Sequence, residues 1–336
     1  MLSQAATLVP KPTGLERFLR TTYGDMAPAS FESYGFPFKS NYVEFSGRKI
    51  HYFDEGDGPV VLLVHGNPTW SFLYRKMIPL LAAGGFRCVA PDLLGFGLSD
   101  KPIHESAYSF RGHVDILTKL ITELNLKGVT IVGHDWGGPI SFRYAIDHKD
   151  NVRGLVILNT FLSERKLPFW FRALFRSGAL ASFLIRRLDL YRWLAFTGGF
   201  ARAPGSDIIR QYKMPHPTAA SRAGIAAFVK MIPTRASDET ARLIHEIAQV
   251  LSRWEVPILV LWSDKDPVFP LHEGMALADH LPISQFQQLQ NAGHFLQEDA
   301  GEEIAREVIQ FLENQIFKGS GSAKRLSRSL RHTIAS

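Results

Sequence analysis

The chain has 336 residues, 46% of them hydrophobic and 12% aromatic, enough to bury a large core, which excludes disorder for most of its length. No run of about eighteen uncharged apolar residues occurs, so a membrane-spanning helix is not expected. The formal charge of +6 does not single out a nucleic-acid binder: residues 318–336 carry Lys318, Lys324, Arg325, Arg328 and Arg331 with no acid, and removing those five leaves +1.

In chain order, the first twenty residues lack a continuous apolar stretch and a small-residue cleavage pattern, so no secretory signal is expected. A short strand pair reads at 42–45 and 49–53. The run Val60-Val61-Leu62-Leu63-Val64 then suits a strand buried on both faces, and similar runs follow at 87–90, 129–132, 155–158 and 258–262. Helix-like segments at 72–82, 110–124 and 139–146 lie between them. This alternation predicts an α/β architecture, a mostly parallel sheet flanked by helices. The lone cysteine, Cys88, falls within an apolar run, reads as a buried strand residue and fits a reducing cytoplasm.

The alternation stops across 161–232. There, twelve Lys or Arg and several large aromatics meet only Glu164, Asp189 and Asp207, which predicts a helical insertion between two strands. Its arginines read first as a solvated face. An apolar and basic helix surface is also suited to self-association or to interfacial contact with a membrane. The core pattern resumes with a helix at 238–253, a strand at 258–262, a weaker strand at 285–289 and a final helix at 302–317. The expected organisation is a core formed by 1–160 and 233–317, a cap at 161–232 and a flexible basic tail at 318–336.

The most informative segment is Val129-Thr130-Ile131-Val132-Gly133-His134-Asp135-Trp136-Gly137-Gly138, a buried strand running into a small-x-nucleophile-x-small turn before a helix. Glycines at 133 and 137 allow a tight turn that exposes Asp135 at the strand end. Aspartate in this place changes the chemistry. A carboxylate needs no base to activate it and can displace a leaving group from saturated carbon, forming an alkyl ester. Downstream come Trp262-Ser263-Asp264-Lys265-Asp266-Pro267 and then Asn291-Ala292-Gly293-His294-Phe295, the order nucleophile, acid, histidine. His294 would activate the water that attacks the ester. Asp266 is preferred over Asp264 as its orienting acid because it directly precedes the turn at Pro267, with Asp264 a competitor. Upstream, Val64-His65-Gly66-Asn67-Pro68-Thr69-Trp70 closes the first buried strand. The backbone N–H groups of Asn67 and Trp136 are the expected oxyanion donors, and their side chains are neutral donors suited to a departing halide. His65 and His134 are expected to bond loop backbone, and Asp92 to be structural.

Together, His65-Gly66-Asn67-Pro68-Thr69-Trp70 and Gly133-His134-Asp135-Trp136-Gly137-Gly138 resemble the haloalkane dehalogenases, as does Pro91-Asp92-Leu93-Leu94-Gly95-Phe96-Gly97-Leu98-Ser99. The resemblance covers about 42–317 and matches the cap only in position. It implies an α/β-hydrolase fold with an eight-stranded, mostly parallel sheet and a helical cap after the sixth strand. It also implies Asp135 as nucleophile, His294 as base and Asn67 with Trp136 as the halide pair. Because Asn159 holds the position after the sixth strand, the pattern resembles the branch whose acid follows the seventh. The implied partners are a halogenated aliphatic substrate, water and a halide product. No nucleic acid is expected, and no cofactor or metal motif appears. The rival enzyme reading is an epoxide hydrolase, which would use Tyr191 and Tyr212 as ring-opening acids. A luciferase-like activity and a non-catalytic binding protein are more distant alternatives.

Overall fold

The computed structural model describes residues 38–175 and 178–316. The leader reading of residues 1–20 and the tail 318–336 lie outside the described residues.

Eight strands form one sheet: β1 (Asn41–Phe45), β2 (Arg48–Glu55), β3 (Val60–Val64), β4 (Arg87–Pro91), β5 (Val129–His134), β6 (Val152–Leu158), β7 (Ile258–Ser263) and β8 (Ser284–Leu289), in the spatial order β1-β2-β4-β3-β5-β6-β7-β8. β2 pairs antiparallel with both β1 and β4, and the remaining neighbours pair parallel. β3, β5 and β7 are buried along their whole length, as expected where helices cover both faces. The chain steps from β3 to β4 in one direction and then returns past β3 to β5. The carboxyl ends of β3 and β5 therefore flank the crevice where strand order reverses, which is where open α/β sheets bind ligands.

The helices of the sheet layers are α1 (Ile78–Ala83), α2 (Phe110–Glu123) and α3 (Gly137–Asp147). The helix expected over 72–82 is instead a 3-10 turn at Ser71–Tyr74 followed by α1, because Pro79 has no N–H to donate and sits in the first turn of a new helix. Five helices follow β6: α4 (Phe169–Phe175), α5 (Ala179–Arg186), α6 (Leu190–Gly198), α7 (Ser206–Lys213) and α8 (Ala223–Met231). The chain returns to the sheet layers with α9 (Glu239–Leu251), α10 (Leu271–Asp279) and α11 (Leu296–Phe311), closing in a turn of π-helix at Leu312–Ile316. The expectation of a final helix from 302 is corrected. α11 begins six residues earlier, directly after His294, and is kinked at Ala300, whose φ of −134° is not helical. No helix among the described residues is long and apolar enough to cross a membrane.

Candidate active site

Asp135 sits where β5 turns into α3, with φ of +49°, the left-handed region that costs an L-residue on the order of 1–3 kcal/mol. The turn is tight enough that a Cβ on Gly137 would collide with the Val64 carbonyl, and one on Gly133 with Gly138. Neighbours hold the strained residue in place. Its N–H donates to the Asn159 carbonyl at 3.0 Å, while its own carbonyl accepts from Gly138 N–H at 3.1 Å and from the Thr160 hydroxyl at 2.6 Å.

The loop after β3 lies against the carboxylate, and Gly66 is needed there because any Cβ would overlap the Asp135 side chain. Asn67 N–H donates to Asp135 Oδ1 at 2.7 Å, and Trp136 N–H also bonds the carboxylate. Oδ1 is thus held by the Asn67 N–H, and the Trp136 N–H is a second backbone donor to the carboxylate. Oδ2 lies 4.0 Å from His294 Nε2. On the other side of the ring, His294 Nδ1–H donates to Asp266 Oδ2 at 2.9 Å, while Asp266 Oδ1 accepts from Val268 and Phe269 N–H at 2.6 and 3.0 Å. Asp264 does not reach His294; it accepts from Ala292 N–H at 3.1 Å.

These groups open into a cavity of about 540 Å³ with an apolar wall that includes Phe161, Leu167, Phe171, Leu194, Ile232 and Phe295. Asn67 and Trp136 line it beside Asp135 and His294. The Trp136 ring stands edge-on to Phe161 and Phe228, with centroids 5.1 and 5.2 Å away. The Asn67 amide N–H2 makes one long bond, 3.4 Å to the Ile225 carbonyl, leaving its second hydrogen for the cavity. Trp170 lines the cavity, whereas Trp193 does not; Tyr191 lines it, whereas Tyr212 is buried outside it, donating to Glu298 at 2.8 Å and accepting from Arg75.

Burial pushes the Asp135 carboxyl up to about 6, against the pull of His294 and of the Trp136 and Asn67 N–H groups. For His294, burial opposes the charged form, yet the Asp266 carboxylate and its hydrogen bond outweigh that and raise the imidazole above its ordinary value. For Asp135 to act as a nucleophile it must be ionised, and for His294 to act as a base its ring must be neutral. The rate at low substrate is therefore expected to fall as pH drops through about 6, read as kcat/KM across a buffer series. The same burial costs stability. Relative to an ordinary 3.8, ionising Asp135 near 6 weakens the fold at neutral pH by roughly 3 kcal/mol. Asp135→Asn is expected to raise Tm at about pH 8 and to lose that gain below about pH 4, where both folded and unfolded carboxyls are protonated.

The remaining polar residues of the motifs are structural. His65 Nδ1–H donates to the Gly66 carbonyl at 2.9 Å and its Nε2 accepts from Leu93 N–H at 3.0 Å; His134 Nε2–H donates to the His294 carbonyl at 2.9 Å. Burial holds both rings below their ordinary value, so they are neutral. Asp92 is buried, yet His51, at 2.7 Å, and the N–H groups of Ser71 and Leu98 keep its carboxyl at about 2.

Two residues position the site in ways that the sequence does not announce. Asn159 directly follows β6, where its amide donates to Ser263 Oγ at 2.6 Å and to the Gly293 carbonyl at 3.1 Å, tying β7 and the histidine loop to the Asp135 turn. A polar residue closing the apolar run of β6 was the only signal. Asp299 accepts from Gly293 N–H and Ala201 N–H, each at 2.9 Å, and so fastens the His294 loop to the end of α6. Nothing in the sequence marks it among its acidic neighbours. Losing such charge-assisted bonds costs about 1–3 kcal/mol, so Asp299→Asn is expected to lower kcat roughly tenfold to a hundredfold with KM little changed, measured by steady-state kinetics.

Residues 59–301 match the alpha/beta hydrolase fold family. Among similar proteins, a cis-3-alkyl-4-alkyloxetan-2-one decarboxylase of Shewanella oneidensis is 36% identical over 287 residues, covering 82% of this chain and 89% of its own. Haloalkane dehalogenase 2 of Mycobacterium bovis is 38% identical over 277 residues, covering 82% and 95%. The crystal structure of a haloalkane dehalogenase from Bradyrhizobium elkani superimposes with a TM-score of 0.77 at 26% identity, over 82% of this chain and 98% of that one. Sheet order, the position of the aspartate turn and these likenesses agree over most of the chain, which belongs to the haloalkane dehalogenase family of the alpha/beta hydrolase superfamily.

Proposed function

We propose that the protein hydrolyses haloalkanes to an alcohol, halide and a proton. Asp135 Oδ2 attacks the halogen-bearing carbon from behind; the new C–O bond forms as the carbon–halogen pair leaves as halide. The Asn67 amide and Trp136 indole N–H groups receive that halide. As neutral donors they bind the developing anion without neutralising the nucleophile. His294 Nε2 then takes a proton from water, whose oxygen attacks the ester carbonyl carbon. The oxyanion forms on Oδ1, which the Asn67 N–H already holds, with the Trp136 N–H as the second backbone donor. Collapse expels the alcohol oxygen, which takes the proton back from His294, and a solvent exchange releases the acid.

What carries this reading is Asp135 itself, an aspartate in the elbow, with Oδ1 held by the Asn67 N–H and Oδ2 4.0 Å from a histidine, beneath an apolar cavity. It includes Asp266 as orienting acid after the seventh strand, the Asn–Trp halide pair, a hydrolase core with 161–232 as its cap, and a cytoplasmic setting. The epoxide hydrolase alternative needs paired cap tyrosines, and Tyr212 is committed to Glu298 and Arg75 outside the cavity.

A second reading rests on the relative named cis-3-alkyl-4-alkyloxetan-2-one decarboxylase, as similar to this chain as several dehalogenases. The same attack by Asp135 on the ring carbon bearing oxygen would open a four-membered lactone to a carboxylate. Loss of carbon dioxide would then form the alkene and expel Asp135, with no water consumed. The deciding experiment measures bromide and proton release from n-butyl bromide and ethylene dibromide, beside styrene oxide and a dialkyl oxetanone. Bromide with a matching proton is expected. Alkene and carbon dioxide without bromide would replace the proposal by the second reading, diol alone would replace it by epoxide hydrolysis, and inertness toward all would overturn it.

A further inference from the structure

Six of the eleven large exposed hydrophobic residues among the described residues fall within 169–193: Phe169, Trp170, Leu180, Phe183, Leu188 and Trp193. Phe169 is 86% exposed and Trp193 55%, far beyond what ordinary packing leaves on a monomer surface. They sit on α4, α5, α6 and the connection between the last two, and these three helices pack successively on one another. From Arg165 to Leu188 the sequence contains no acid. Arg165 and Arg186 turn to Glu273 and Glu105, whereas Lys166, Arg172 and Arg187 are exposed. The same segment forms one wall of the active-site cavity through Lys166, Leu167, Pro168, Trp170 and Phe171, so Trp170 belongs both to the exposed face and to the cavity lining.

We propose that the face built by α4, α5 and α6 docks on an anionic lipid surface, and that apolar substrate passes from the bilayer into the cavity along Trp170. Aromatic and aliphatic side chains interleaved with cations are what an interfacial helix surface requires, with apolar groups entering the acyl boundary and cations meeting the headgroups. A second copy of the chain fits less well. A two-fold contact would set the exposed Lys166, Arg172 and Arg187 of this face against their own copies, cation against cation, whereas anionic headgroups complement them. Docking is independent of the chemistry at Asp135. The passage of substrate rests on the dehalogenase reading and extends it to long-chain apolar halides.

The test is flotation of the full chain with vesicles of phosphatidylcholine alone or mixed with phosphatidylserine. Flotation with the mixed vesicles at low salt, weakened by high salt, is expected. A cation near such a surface is worth about fivefold in partitioning, so Arg172→Gln with Arg187→Gln is expected to lower it tenfold or more. Phe169→Ser with Phe183→Ser and Trp193→Ser is expected to do likewise, while n-butyl bromide turnover in both variants shows the fold intact. The tail variant Lys324→Gln with Arg325→Gln and Arg328→Gln is expected to float as before. No flotation with anionic vesicles overturns the proposal. So does flotation that depends on the tail and ignores the cap substitutions, or concentration-dependent self-association that the cap substitutions abolish without any vesicle binding. Should bromide release fail in the unaltered protein while cap-dependent flotation persists, the dehalogenase reading falls and docking stands.

Discussion

Replacing His294 by alanine is expected to stop turnover after one halide per enzyme, and replacing Asp135 by alanine to prevent even that single release. The difference follows from the geometry. In the proposed mechanism Asp135 Oδ2 attacks a substrate carbon without help from His294, because the attacking group is the carboxylate itself and its other oxygen is already fixed by Asn67 N–H at 2.7 Å. The imidazole enters only when the ester must be hydrolysed, from 4.0 Å away, a separation that leaves water room to approach the ester carbon from the His294 side. Without that base, hydrolysis loses on the order of 10³–10⁴ in rate, and the alkyl-enzyme accumulates. Intact mass of His294→Ala after exposure to n-butyl bromide should show one added butyl group, and peptide mapping should place it on Asp135. A His294→Ala enzyme that releases bromide but never carries the adduct would remove the ester from the mechanism. Bromide release by Asp135→Ala would remove the nucleophile.

The parts of this site that could be read from sequence are those tied to the sheet. Buried-strand runs such as Val60–Val64 and residues 129–132 mark strands buried on both faces, and the glycines around Asp135 mark a turn that only small flanking residues permit. Because alternating strands and helices make the strands run parallel, the residues following β3, β5, β7 and β8 fall at one end of the sheet. The cap was less legible. Its five helices take their positions from side-chain packing and not from a hydrogen-bonded register, so nothing in the sequence separated Trp170, in the cavity wall, from Trp193, outside it. Tyr191 and Tyr212 parted company for the same reason. α10 went unread because Leu271-His272-Glu273-Gly274-Met275 carries a glycine within a helix; Gly274 is there because any Cβ would strike the Trp262 ring. α11 was begun too late because Gly301 and the kink at Ala300 interrupt its periodicity. Asp299 and Asn159 act through bonds to backbone groups distant in sequence, which composition and spacing do not record.

Asp264 and Asp266, two residues apart on the same loop, are expected to differ by orders of magnitude in what their loss does. Asp266 is fully buried at its side chain and divides its oxygens between the two tasks of the loop: Oδ1 caps the turn through Val268 and Phe269 N–H, and Oδ2 receives His294 Nδ1–H. Asp266→Asn keeps an oxygen for the turn and presents an N–H2 group to the imidazole. The histidine must then accept at Nδ1 and carry its proton on Nε2, where it can no longer take one from water. Turnover is expected to fall by about 10³–10⁴, with the first halide still released and the alkyl-enzyme trapped as in His294→Ala. The imidazole should also lose the upward pull on its pKa, because Asp266 is the main influence raising it against burial. Asp264 only accepts from Ala292 N–H, and an asparagine oxygen can do the same, so Asp264→Asn should change turnover by no more than a few-fold. Steady-state and burst measurements on the two variants side by side decide the matter: equal, mild losses would mean that the imidazole is oriented by some other group, and a larger loss at Asp264 would exchange the two roles.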